Sequence, residues 1–211
     1  MGYTVAVGLR ETKKERTRQE LAAKAMELFV RKGFDRVTVA EVAEAAGVSE
    51  KTVFNYFPTK EDLFFDEVPE REARLLAAIR GRKPGESVVS VLHRLQAGDC
   101  TRLASPDFAV FARIIDESPA LKAKEIEVMA RFTDRLAEEF AGEPGVTPIE
   151  AKVAANMLIS VHWELFRRAR AEALAGRHGP GSVRRLRAEL DRAYALLEHG
   201  LGRLERTVTG P

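Results

Sequence analysis

The sequence predicts an all-α protein built as a small N-terminal three-helix head followed by a larger helical body. Three observations carry that prediction. Apolar residues recur at three- and four-residue spacing in segment after segment, which places them on one face of a helix. Most of these segments are bracketed by capping residues, or by Pro and Gly. One stretch, Thr38 to Leu63, reads as two short helices around a tight glycine turn.

The elements follow in order. Met1 to Leu9 shows no periodicity and reads as an arm, followed by Arg10, Lys13, Lys14, Arg16 and Arg18 with Glu11, Glu15 and Glu20 interleaved. That cluster fits contacts to phosphates or a minor groove, and equally a solvated helix start. A helix is expected from about Thr12 to Lys32, with Leu21, Ala22, Ala25, Met26, Leu28 and Phe29 inward, Gly33 as its stop and Phe34 as an anchor beside it. Thr38 caps the next helix and Glu41 completes a capping box. Val39, Val42, Ala43 and Ala46 form its apolar face, and Gly47 ends it, because Gly alone takes a left-handed conformation without a Cβ clash. Ser49 caps a third helix, in which Val53 and Phe57 face the core and Glu50, Lys51, Thr52, Asn55 and Tyr56 face outward. Pro58 stops it. Groups of that outward kind meet phosphates and base edges.

Beyond Thr59, a cap, Glu61 to Gly81 reads as a longer helix that Pro69 kinks or divides. Helices are expected at about 87–103, 107–117 and 120–141, with Ser105-Pro106 and Ser118-Pro119 marking two of the starts. Gly142-Glu143-Pro144-Gly145 is a break. A long helix spans about Pro148 to Ala175, so apolar around Val153, Met157, Leu158, Ile159, Val161, Trp163 and Phe166 that it calls for burial on several sides. The last helix, about Ser182 to Glu205, carries a narrow seam of Val183, Leu186, Leu190, Ala193, Leu197 and Leu204, with Gly200 and Gly202 near its end. Two such helices packing on the same pair of a second chain would form a four-helix bundle; the alternative is a core within one chain.

Composition narrows the function classes. With 45% hydrophobic and 31% charged residues, the 211-residue chain is ordinary for a soluble globular protein. No apolar run approaches the roughly 18 residues a membrane span needs. The start lacks the basic-then-apolar pattern of an export signal, and the single cysteine, Cys100, excludes an internal disulfide; both suit a cytoplasmic location. The net charge is only +2, yet residues 1–60 hold 11 Lys/Arg against 8 Asp/Glu, so the positive excess lies on the segment with the helical turn. There is no Gly-rich phosphate loop, no nucleophile elbow and no metal-ligand spacing among four His and one Cys, so neither an enzyme, a cofactor nor a metal site is expected.

Thr38-Val39, Ala43, Ala46-Gly47-Val48-Ser49 and Thr52-Val53-Phe54-Asn55-Tyr56-Phe57-Pro58-Thr59-Lys60-Glu61-Asp62-Leu63 resemble the DNA-binding core of TetR-family transcriptional regulators. The resemblance implies a helix-turn-helix DNA-binding domain over residues 1–60 and a helical ligand-binding and dimerisation domain over 61–211. It implies a homodimer through the last two helices, which would meet a double-stranded, near-palindromic DNA operator in successive major grooves, and release by a small-molecule effector, expected to be largely apolar. On this resemblance Thr38, Tyr56 and Lys60 hold phosphates, Ser49 caps the recognition helix, and Glu50, Lys51, Thr52 and Asn55 are the base-edge candidates. Lys51 suits guanine and Asn55 adenine, while Glu50 either accepts from cytosine or points away. Phe54 stands where the family often has Tyr; without a hydroxyl it would meet thymine methyls or pack inward. The same resemblance implies an effector pocket among the middle helices, with Leu92, Leu95, Phe108, Phe111, Met129, Phe132, Met157 and Trp163 as apolar candidates and His93, Cys100, His162 and Glu164 as polar ones; ordinary core is the competing reading for each. Two other function classes stay open. One is a helical protein whose head serves a protein partner; the other is a regulator with no small-molecule effector.

Overall fold

A computed structural model describes the backbone of residues 3–199 and the side chains of residues 13–198. Every regular element among them is helical: α1 (Tyr3–Lys32), a 3-10 turn (Phe34–Arg36), α2 (Val39–Ala45), α3 (Glu50–Tyr56), α4 (Lys60–Phe64), α5 (Val68–Arg80), α6 (Val88–Leu103), α7 (Pro106–Glu117), α8 (Pro119–Ala141), α9 (Pro148–Leu174) and α10 (Pro180–His199). The helices fall into two compact units, one of residues 1–69 with 114–124, the other of residues 70–113 with 125–211.

In the first unit, α1 buries Leu21, Ala22, Ala25, Leu28 and Phe29 of the stripe expected of it, with Met26 half-buried. It begins at Tyr3, however, so the residues expected to form an arm are helical from that point. Extending an existing helix adds a hydrogen bond per residue fixed, and only Gly8 in that stretch opposes it. Gly33 turns the chain at φ 82°, and the buried Phe34 ring then sits 4.9 Å from Phe29 and 6.2 Å from Phe64. Pro69 takes the dividing role: the expected long helix is broken at residues 65–67 into α4 and α5, and Pro69 lies in the first turn of α5, where its missing N–H leaves no intrahelical bond unmade. Ile114, Ile115 and Leu121 are buried and belong to this unit, although they lie at the end of α7 and the start of α8.

The second unit is organised on one apolar core, which includes Leu76 and Ile79 of α5, Leu92, Cys100 and Leu103 of α6, Phe108 of α7, Phe132 and Leu136 of α8, and Leu158 and Leu165 of α9. Leu186, Leu190 and Tyr194 of α10 join it, with Val183, Ala193 and Leu197 packed at its edge. The α10 seam is therefore used within the chain; Gly200, Gly202 and Leu204 lie outside the described residues. The turn from α9 to α10 is held by Glu172, whose buried carboxylate accepts from Arg177 Nε (3.0 Å), Arg185 Nη2 (2.5 Å) and Ser182 Oγ (3.3 Å). Arg177, and then Arg185 against the opposing effect of burial, hold that carboxyl down at about 2. On α9, Ile149, Val153 and Met157 face outward, 73, 51 and 40% exposed. Four residues apart, they form an uncovered apolar stripe, flanked by the exposed Lys152, Asn156 and Ser160.

Candidate nucleic-acid interface

The helical turn takes the form its sequence dictates. Thr38 Oγ1 accepts from the Glu41 N–H (3.2 Å), and the Glu41 carboxylate accepts from the Thr38 N–H (2.8 Å), closing the capping box. Lys32 Nζ also donates to Glu41 (2.6 Å). Lys32 first, then the Thr38 backbone, hold the Glu41 carboxyl near 2. Gly47 lies at φ 67°, and the Val48 N–H folds back to the Ala43 carbonyl at 2.9 Å, so the chain reverses within two residues. Ser49 Oγ accepts from the Thr52 N–H (3.2 Å) and its hydroxyl pairs with that of Thr52 at 2.9 Å, fixing the start of α3.

Val53 and Phe57 are buried, which turns the other faces of α3 outward. Glu50, Lys51 and Asn55 are exposed, and Thr52 and Tyr56 are half-buried. Phe54 is 48% exposed, so its inward-packing alternative is not realised. Three of the candidates have internal work. Thr38 and Ser49 are engaged as caps. Lys60 turns inward: its ammonium donates to the carbonyls of Phe34 (3.1 Å) and Val37 (3.0 Å) and stands 4.2 Å from the centre of the Phe34 ring. It thereby closes the 3-10 turn that delivers the chain to Thr38. Arg18 behaves similarly, donating to the Asp66 carbonyl (3.0 Å) with its guanidinium 4.9 Å over Phe57, whereas Arg16 pairs with Glu20 on the surface.

In the second unit, the apolar core takes in Leu92, Phe108 and Phe132, with Phe111 and Met129 packed against it. The Phe108, Phe111 and Phe166 rings cluster 5.3–6.3 Å apart. Met157 lies instead on the exposed α9 stripe, Leu95 is 38% exposed, and Trp163 is half-buried. Among the polar candidates, Glu164 is a surface partner of Arg167 and His93 pairs with Asp191 at 2.7 Å. Cys100 is fully buried and burial pushes its thiol up. His162 is the exceptional one. Burial lowers it to about 4, so it is neutral at pH 7, and its Nδ1 has no hydrogen-bond partner. Gln96 Oε1 and the Tyr194 hydroxyl of the same unit are likewise buried without partners. Residue order gave no sign of either, because an unmet hydrogen bond is a property of packing and not of spacing.

Sequence reasoning also missed the capping box of α9, Thr147 with Glu150, although its Thr-x-x-Glu spacing is legible. Among the described residues, no group of three or more His, Cys, Asp or Glu is placed to hold a metal, and no helix is long and apolar enough to cross a membrane.

Residues 21–66 match the family described as bacterial regulatory proteins, tetR family. The HTH-type transcriptional regulator TcmR of Streptomyces glaucescens is 30% identical over 147 residues, 66% of this chain and 65% of its own length. The HTH-type transcriptional regulator LuxR of Vibrio harveyi is 55% identical over 51 residues, 24% of each chain. The chain thus spans less than two thirds of the length of these relatives. A crystal structure of NalD, the secondary repressor of a multidrug efflux pump in Pseudomonas aeruginosa, shares the fold over 85% of this chain and 97% of that one, with a TM-score of 0.53 and 22% identity.

Proposed function

We propose that the chain, whose residues 21–66 match the tetR family of bacterial regulatory proteins, is a transcriptional regulator, a repressor that binds a near-palindromic double-stranded operator as a homodimer and leaves it when a small-molecule effector binds. The observation that carries this reading is α3. It is capped by Ser49, anchored by Val53 and Phe57, and presents Glu50, Lys51 and Asn55 to the outside on a rigid support. Lys51 and Asn55 are the base-edge donors, to guanine and adenine, with Thr52 beside them. Tyr56 and Thr38 lie at the phosphates, where the Thr38 hydroxyl must share its position with its capping role. Lys60 serves the interface through the backbone it fixes.

Dimerisation falls to the α9 stripe of Ile149, Val153 and Met157, which an isolated chain would leave in water. An effector would enter the core around Leu92, Phe108, Phe111, Met129 and Phe132. There the unpartnered Gln96, His162 and Tyr194 groups offer hydrogen bonds that the protein itself leaves unmade. Release then requires that the effector bind one geometry of the dimer better than the other.

Fluorescent duplexes from the protein's own upstream DNA, titrated at low and moderate salt, test the central claim. Selective binding that weakens steeply with salt and is lost in Lys51→Met/Asn55→Ala is the expected outcome. Absence of any duplex bound above the non-specific level, across a genome-wide fragment pool, overturns it in favour of a head that serves a protein partner.

A further inference from the structure

Residues 114–124 are chemically part of the first unit although they belong to two helices whose remaining turns lie in the second. Two polar links fasten this corner within the first unit. The Ser118 hydroxyl, itself 2% exposed, donates to Asp35 Oδ1 at 2.7 Å while accepting from the Leu121 N–H at 3.3 Å, so one oxygen both caps α8 and reaches the 3-10 turn. Lys124 Nζ lies 3.1 Å from Asp62 Oδ1 with little exposure of either side chain. Asp62 is also the carboxylate of the α4 capping box, accepting from the Thr59 N–H (3.0 Å) and hydroxyl (2.8 Å). Thr59 and Lys124 together hold the Asp62 carboxyl below its ordinary value against burial.

The two acceptors bracket the recognition element in sequence. Asp35 comes three residues before the Thr38 cap, and Asp62 closes the turn that follows α3. Ile115, just before these links, and Leu121, between them, are buried in this unit. The corner thus contacts the residues at both ends of the helical turn.

We propose that Ser118 and Lys124 are positioning residues for DNA binding. The α7–α8 corner sets the pose of α2 and α3 through Asp35 and Asp62, and by linkage bound DNA orders that corner in return. This rests on the DNA-binding reading above. The test is amide exchange of the full-length protein, read by mass spectrometry, with and without saturating amounts of the tightest duplex from its own upstream DNA. DNA is expected to slow exchange in α3 and, about fivefold, in residues 119–124. In Ser118→Ala/Lys124→Met the α3 protection remains at saturation while residues 119–124 stop responding. Asp35→Asn, which still accepts from Ser118, keeps the response that Asp35→Ala loses; a merely structural role would not separate these two. Protection of α3 with no change at 119–124 in the wild type, or an undiminished response in the double variant, overturns the coupling alone. No protection of α3 by any duplex overturns the DNA-binding reading and the coupling with it.

Discussion

Replacing Lys60 by Met removes a cation and keeps most of the apolar stem, so its consequences separate two roles. The structure gives the ammonium two carbonyl acceptors, Phe34 O at 3.1 Å and Val37 O at 3.0 Å, and the Phe34 ring at 4.2 Å. Hydrogen bonds from a charged donor contribute about 1.5–3 kcal/mol each, and the ring about 0.5–1 kcal/mol. The site is half-buried, and water can reach both carbonyls once the ammonium is gone, so roughly 2 kcal/mol of local stability is the reasoned loss. At about 1.4 kcal/mol per factor of ten, amide exchange in α2 of the DNA-free protein should accelerate about thirtyfold.

The DNA assay then discriminates. A lysine that neutralises a phosphate contributes roughly 0.9 to the slope of log K against log salt. Lys60→Met should weaken binding at every salt concentration and leave that slope unchanged, since the residue acts through the path of residues 34–37. Lys51→Met, which removes the base-edge donor on the exposed face of α3, should instead relax the preference for guanine at the position it meets. A Lys60→Met protein with normal exchange in α2 and a slope reduced by about one unit would refute the internal role and return Lys60 to the phosphates.

Other consequences can be read directly. Ser49→Ala removes the cap of α3 and should cost about 1 kcal/mol, seen as faster exchange of the Thr52 amide, with Ser49→Asp restoring it. Val153→Asp on the exposed α9 stripe should yield a folded monomer by sedimentation, because the charge would be buried only in a dimer; an unchanged dimer would place the interface elsewhere. His162, lowered to about 4 by burial, takes up a proton more readily when unfolded. Its stabilising share is complete above about 6.5 and is lost as pH falls toward 4, a change on the order of 3 kcal/mol. His162→Leu should flatten unfolding free energy against pH over that window, while a parallel slope in the variant would exclude the assignment.

How much of this was legible in the sequence depends on the range over which each feature is determined. The caps at Thr38, Ser49 and Thr59 are each written within four residues, and each appears in the structure. The bounds of α6 to α9 fall within a residue or two of expectation for the same reason: Pro, Gly and Ser act locally. The apolar faces of α9 and α10 were equally visible as patterns, yet their use was not. A seam at three-four spacing states that a helix buries one side and does not state against what; α10 buries Leu186 and Leu190 within its own chain, leaving Ile149, Val153 and Met157 of α9 uncovered.

Charged residues mark the deeper limit. In sequence, Lys60 and Arg18 are indistinguishable from DNA-facing cations, since both lie in the part of the chain with the positive excess. Their direction is decided by carbonyls at Phe34, Val37 and Asp66, supplied by residues 23 to 48 positions away. A carbonyl has no sequence signature at all, because every residue carries one. Glu172 is the converse case: a carboxylate on a helix otherwise read as apolar core, given its meaning by Arg177 and Arg185 across a turn. The excess of positive charge on the first 60 residues therefore overstates the charge offered to phosphate, since part of it holds the head together. A DNA salt slope smaller than the count of basic residues implies would follow from that arrangement alone.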